Sequence, residues 1–111
     1  MGTMKQGKDF GEAARLLKVL GHPVRLKIVC GLLSEPATGS MISRELSVPV
    51  STLALHLRAL RGCGILIEEK RGVEVIFHVA DRRVPGILRV LCNPPAVRAK
   101  LPRWAWQELK G

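Results

Sequence analysis

The stretch "MISRELSVPVSTLALHLRALRGCGI", Met41 to Ile65, constrains the chain more than any other. It holds two segments of helical apolar period separated by a break at Val48–Pro49, where proline removes a backbone donor and biases its predecessor away from helix. In the second segment Leu53, Leu57 and Leu60 recur at i, i+4 and i+7, which places them on one helical face. Ile42 and Leu46 do the same for the first. Two short helices joined by a tight turn and sharing one apolar side form a helix-turn-helix.

The flanks extend this unit. "FGEAARLLKVL" predicts a helix over Phe10–Leu20, with Phe10, Ala13, Ala14, Leu17 and Leu20 on its apolar face. "GHP" stops it and starts a second helix over Pro23–Leu33, since proline suits the first turn, where no N–H is needed. In this helix Leu26, Val29 and Leu33 read as core, and "SEPATGS" (Ser34–Ser40) reads as a connector.

Beyond Gly64 the period becomes two. Ile65 and Ile67 alternate with Leu66 and Glu68, and Val73, Val75, Phe77 and Val79 alternate with Glu74, Ile76 and His78. Two strands joined by "EEKRG" form a hairpin. "DRRVPGILRVLC" (Asp81–Cys92) returns to helical character through Val84, Ile87, Leu88 and Leu91, and "NPP" stops it. Residues 1–9 are expected to be a flexible N-terminus, 10–92 one folded domain, and 93–111 a basic extension carrying Trp104 and Trp106. The bland reading of the two tryptophans is packing of that extension; the alternative is docking to a protein partner.

With 111 residues and 47% hydrophobic content, one small core is the expectation. The balance of 18 Lys+Arg against 9 Asp+Glu, a formal charge of +9, favours a polyanionic partner and places nucleic acid ahead of an anionic membrane. No apolar run reaches the roughly 18 residues of a membrane span, and the charged N-terminus lacks a signal peptide's apolar stretch, so the expected location is the cytoplasm. Neither a Ser/His/Asp or Cys/His constellation nor a Gly-rich phosphate loop argues for an enzyme, and no cofactor is expected.

Base readers have to project from the early outward face of the second helix of the motif, which makes Ser51, Thr52, Ala54 and Leu55 the candidates. Ser51 and Thr52 could instead cap that helix. Arg58 and Arg61, three residues apart, suit phosphates, and Lys70 and Arg71 in the hairpin turn suit the minor groove or backbone. A solvated charged face is the alternative for each cation. His56 lies among Leu53, Leu57 and Leu60 and fits a DNA contact or a hydrogen-bonded structural histidine equally well. His22 beside Pro23 reads as turn chemistry.

Helix, helix, helix-turn-helix, hairpin, helix is the order of a winged helix-turn-helix, mainly α with a β-hairpin wing. "LLKVLGHPVRLKIVCGLL", "STLALHLRALRGCGIL" and "EEKRGVEVIFHV" resemble the ArsR/SmtB family of small dimeric bacterial repressors. The resemblance covers roughly residues 12–92. It implies that the helix of Ser51–Arg61 enters the major groove of double-stranded DNA at an imperfect inverted repeat. It also implies a homodimer built by the first and last helices.

Metal-sensing relatives carry a cysteine pair in the third helix or Asp/His and His/Glu pairs in the last one. Here "GSMISREL" has no thiol or imidazole, and Asp81 is followed by Arg83, so no metal site is expected. Among three cysteines with no C-x-x-C pair, Cys30 and Cys92 match by resemblance the branch of the family that senses sulfane sulfur or oxidants. There the two thiols become bridged and DNA is released. Cys63 reads as packing. Lys27 and Arg89 each precede a sensor candidate by one helical turn, and a nearby cation favours thiolate, whereas burial opposes it. Inert core cysteines, arsenite or another thiophilic metal as inducer, and a winged-helix interaction module without an inducer remain alternatives.

Overall fold

A computed structural model describes residues 7–92, and these form five helices and three short strands. The elements run α1 (Gly7–Leu20), α2 (Pro23–Ser34), β1 (Ala37–Thr38), α3 (Gly39–Leu46), α4 (Val50–Gly62), β2 (Leu66–Arg71), β3 (Glu74–Val79) and α5 (Val84–Leu91). The arrangement is a winged helix-turn-helix. Residues 1–6 and 93–111, with Trp104 and Trp106, lie outside the described residues.

Local chemistry sets the helix ends. His22 is the N-cap of α2, its ring nitrogen Nδ1 accepting from the amide of Val24 at 3.1 Å, and Pro23 opens the helix. Thr38 caps α3 through Oγ1, which accepts from the Met41 amide at 3.2 Å. Ser47 ends α3 in the left-handed region at φ 55°. The Ser43 hydroxyl then donates to the Val48 carbonyl at 2.6 Å, and the Val48 amide to the Ser43 carbonyl at 3.1 Å. These bonds fix the tight turn from which α4 departs.

The core gathers Leu16 and Leu20 of α1, Ile28, Val29, Cys30 and Leu32 of α2, Ile42 of α3, and Leu53, Leu57 and Leu60 of α4. Ile65, Leu66, Phe77, Val84, Leu88 and Cys92 complete it. The i, i+4, i+7 stripe of α4 is therefore buried as its spacing predicts. Leu60 is fully enclosed, and Leu60→Ala is expected to lower stability by about 2–5 kcal/mol through lost burial plus the cavity left behind. Chemical denaturation checks this; a loss under about 1 kcal/mol would mean that the site collapses around the smaller side chain.

Four expectations need correction. Of the face assigned to the first helix only Leu20 is buried; Phe10, Ala13, Ala14 and Leu17 are exposed, and Leu16 takes the inner position. The helix is apolar on two sides, and within one chain only one of them is covered. Second, the connector contains β1, which pairs antiparallel with β3 (Ala37 opposite Phe77) to give a three-stranded sheet of order β1-β3-β2. Third, β2 continues through "EEKR", so the turn shrinks to Gly72 and Val73, with Gly72 at φ 63° where a side chain would be strained. Ile67 and Val73 consequently point to solvent. Fourth, α5 starts at Val84 rather than Asp81 and leaves Leu91 half exposed.

Candidate functional site

Cys30 lies in the middle of α2, and Cys92 is the C-cap residue of α5. Helix α5 packs on α2, and this brings the two sulfurs to 3.1 Å of each other. Both thiols are reduced and almost sealed from solvent, at 1% and 4% exposure. Forming a disulfide requires a further approach of only about 1 Å to the normal S–S length of about 2.05 Å. Cys63 is separate: it caps the end of α4, half-buried, with its thiol directed at the Leu60 carbonyl at 3.7 Å.

Helix α4 buries Leu53, Leu57 and Leu60, and this commits its opposite side to solvent. Ser51, Thr52, Ala54, Leu55, Arg58 and Arg61 all lie on that open side. Pro49 is the N-cap residue and no side chain caps the helix, so the capping alternative for Ser51 and Thr52 does not apply. A cleft of about 380 Å³ runs between the start of α4 and β3, walled by Val50, Ala54, Leu57, Val75 and Phe77.

Register sorts the cations of the hairpin. Glu68 lies opposite Phe77 and Lys70 opposite Val75, so Leu66, Glu68 and Lys70 share the face that looks toward the helices. Glu68 reaches Arg61 of α4 in an ion pair there. Ile67, Glu69 and Arg71 occupy the other face, where Glu69 accepts from Arg71 at 2.9 Å and pairs with His78 at 2.6 Å. Arg71, and then His78, hold the Glu69 carboxyl below its usual range. Of the four proposed phosphate cations, Arg61 and Arg71 are thus engaged by neighbouring carboxylates. Arg58 and Lys70 make no ion pair among the described residues.

His56 is half-buried on α4, its Nδ1 accepting from Nε of Arg25 at 3.2 Å. The bond fits the structural alternative considered for this histidine. Asp81 accepts two bonds from the Arg83 guanidinium, at 3.0 and 2.7 Å, and one from the Arg83 amide at 2.9 Å. These contacts, led by the Arg83 side chain, hold the Asp81 carboxyl below its usual range. Both oxygens are therefore occupied by a cation. Among the described residues no three His, Cys, Asp or Glu side chains gather as a metal site.

Residues 22–68, from the cap of α2 into β2, match the model of the "Bacterial regulatory protein, arsR family". The transcriptional repressor PagR of Bacillus anthracis is 38% identical over 82 residues, which cover 73% of this chain and 81% of PagR. The chain belongs to the arsR family. A biofilm growth-associated repressor of Xylella fastidiosa is 37% identical over 71 residues, covering 64% of this chain and 61% of that protein. The solved structure of HlyU from Vibrio cholerae N16961 superposes with a TM-score of 0.74 at 28% identity, covering 78% of this chain and 95% of HlyU.

As a member of the arsR family the protein is a transcriptional repressor and not an enzyme. No helix among the described residues is long and apolar enough to cross a membrane. Sequence reasoning missed one residue within this arsR-family frame: Arg25, whose guanidinium joins α1, α2 and α4. The available signal was a cation inside "PVRLKIVCGLL", a helix otherwise apolar on most sides.

Proposed function

We propose that this arsR-family repressor binds double-stranded DNA at an imperfect inverted repeat as a homodimer, and releases it when Cys30 and Cys92 become bridged. The observation that carries this reading is the 3.1 Å separation of two reduced, buried sulfurs on different helices. A likeness to a structure described as reduced HlyU, with a TM-score of 0.75 at 27% identity, supports a redox state that matters. The bridging chemistry balances with either class of inducer. Two thiols and one sulfane sulfur atom give a disulfide and hydrogen sulfide, and each further sulfane sulfur lengthens the bridge by one atom. Two thiols and hydrogen peroxide give a disulfide and two waters.

The bridge would tie α2, which packs under α4, to α5, which carries exposed Val90 and Leu91. Phe10 and Leu17 of α1 are exposed as well, and a two-fold interface built by α1 and α5 would cover these apolar side chains. Fixing α5 relative to α2 changes the separation of the two recognition helices and with it the match to half-sites about one helical turn apart. Mass spectrometry after separate treatment with polysulfide, peroxide and arsenite tests the assignment. The expected product is a crosslinked peptide pair containing Cys30 and Cys92. Modification confined to Cys63, or stable arsenite adducts alone, would sink it and point to an inert pair or a thiophilic-metal inducer.

On DNA, Ser51, Thr52, Ala54 and Leu55 would face the major groove, and Arg58, Arg61, Lys70 and Arg71 the phosphates, while His56 turns back toward Arg25. The ion pairs rank the cations. Replacing both Arg58 and Lys70 with alanine is expected to shallow the plot of log affinity against log salt by about 2, since each lost phosphate contact removes about 0.9 from the slope. Replacing Arg61 and Arg71 should change it less, because each already spends part of its charge on Glu68 or Glu69. Fluorescence anisotropy on a duplex selected by the full chain from a random library measures both slopes. Equal slopes in the wild type and the Arg58/Lys70 double variant would remove these residues from the interface.

A further inference from the structure

Arg25 sits where three helices meet. Its Nη1 donates to the Val19 carbonyl in the last turn of α1 at 3.2 Å, and its Nε to Nδ1 of His56 on α4 at 3.2 Å. The His56 ring lies 4.5 Å, centroid to centroid, from that of His22, tilted by 51°. Nδ1 of His22 in turn accepts from the Val24 amide, the bond that caps α2. Each of these bonds uses an Nδ1 lone pair as acceptor, which on His56 requires a ring with no proton on Nδ1. The structure therefore gathers two imidazoles and a guanidinium into one half-buried cluster, in which the Arg25–His56 bond exists only while the His56 ring stays uncharged.

We propose that Arg25 is a positioning residue for the recognition helix: through His56 it sets the roll of α4 against α1 and α2, and DNA affinity falls when His56 takes up a proton. This rests on the reading of α4 as the DNA-facing helix. A protonated His56 has no lone pair for the Arg25 Nε–H, and it sets a second positive charge against the guanidinium. The bond then becomes a repulsion. Among the described residues the groups acting electrostatically on the ring are His22, from the turn before α2, and Arg25 itself.

Burial, then His22, then Arg25 push the His56 pKa below the ordinary 6.5. The positioned state therefore binds fewer protons than a released ring does. Stabilisation of the α4 position is complete above pH 6.5 and is lost as the pH falls through that value toward the depressed one. Like-charged neighbours and desolvation act in the same direction here.

The test uses the selected duplex at pH 7.5 and 5.5. The wild type is expected to bind about threefold or more weakly at the lower pH, one pKa unit corresponding to tenfold. His56→Gln keeps an acceptor for Arg25 but does not titrate, and His22 remains in both proteins, so the variant should lose clearly less affinity between the two pH values than the wild type does. His78 is present in both proteins and cancels in the comparison. A wild type with equal affinities, or a Gln variant with the full wild-type loss, overturns the proposal.

Long-range 1H–15N spectra of the free protein supply a readout independent of DNA. The expected finding is an unprotonated Nδ1 on His56 at pH 7.5 and a pKa that moves toward the ordinary value in Arg25→Ala. A protonated Nδ1, or a pKa unmoved in the variant, counts against it. Failure of the recognition-helix reading has a different signature: Ser51→Ala and Arg58→Ala would leave DNA affinity unchanged while the His56 spectra still show the Arg25 bond.

Discussion

Treated with polysulfide, the wild-type protein is expected to lose its selected duplex by 100-fold or more in affinity, and C92S to keep it within about threefold. Shifting a two-state switch from 99:1 to 1:99 takes about 5.5 kcal/mol of differential stabilisation, and a covalent bridge between two helices supplies a constraint of that order. The sulfurs at 3.1 Å need little rearrangement, so the bias goes into the position of α5 rather than into closing a gap. C30S should behave like C92S. Its hydroxyl sits in apolar surroundings at about 1–3 kcal/mol of cost. C30A, which buries no polar atom, therefore serves as the second variant if the serine protein is unstable. C63S should respond to polysulfide as the wild type does, because the Cys63 thiol is directed at the Leu60 carbonyl of its own helix end and not at the Cys30–Cys92 pair. Release of DNA by treated C30S or C92S would end the two-thiol reading.

The second large effect concerns assembly. Leu17→Glu combined with Val90→Glu is expected to convert the protein to a monomer by analytical ultracentrifugation and to weaken operator binding by roughly 10²–10⁴, the avidity that linking two half-site readers provides. Both side chains are more than half exposed, at 56% and 75%, so the fold of the single chain should change in stability by only about 0.5 kcal/mol. That separation between assembly and folding makes the test discriminating. A double variant that sediments as a dimer would place the two-fold contact elsewhere.

What could be read in advance depended on the range of the interaction. The stripe of Leu53, Leu57 and Leu60 and the break at Val48–Pro49 are local, and both appear as the periodicity requires. Strand β1 was not legible. Two residues in a turn-rich connector become a strand only because β3 offers them a partner some 40 positions later. The period of the first helix was visible, but it cannot say which of two apolar sides faces its own core, and Leu16 and Leu17 were thereby exchanged. Polar "EEKR" looked like a loop because the hairpin tip is solvated on both faces, where alternation gives no signal. The proximity of Cys30 and Cys92 came from resemblance; nothing in the spacing of 62 residues implies it. The contact of Arg25 with His56 was invisible for the same reason, since it depends on how two helices cross.

The near-complete enclosure of the Cys30 and Cys92 sulfurs has a kinetic side. If the pair reacts as proposed, a reagent is expected to reach it during excursions in which the end of α5 lifts from α2, so the oxidation rate should rise with reagent at first and then level off at the frequency of those openings. Brief pulses that end between openings would then leave the thiols untouched, and a sustained exposure would be recorded almost regardless of its strength. In a repressor switched by this pair, the packing of one short helix would therefore work as a timer as well as a seal.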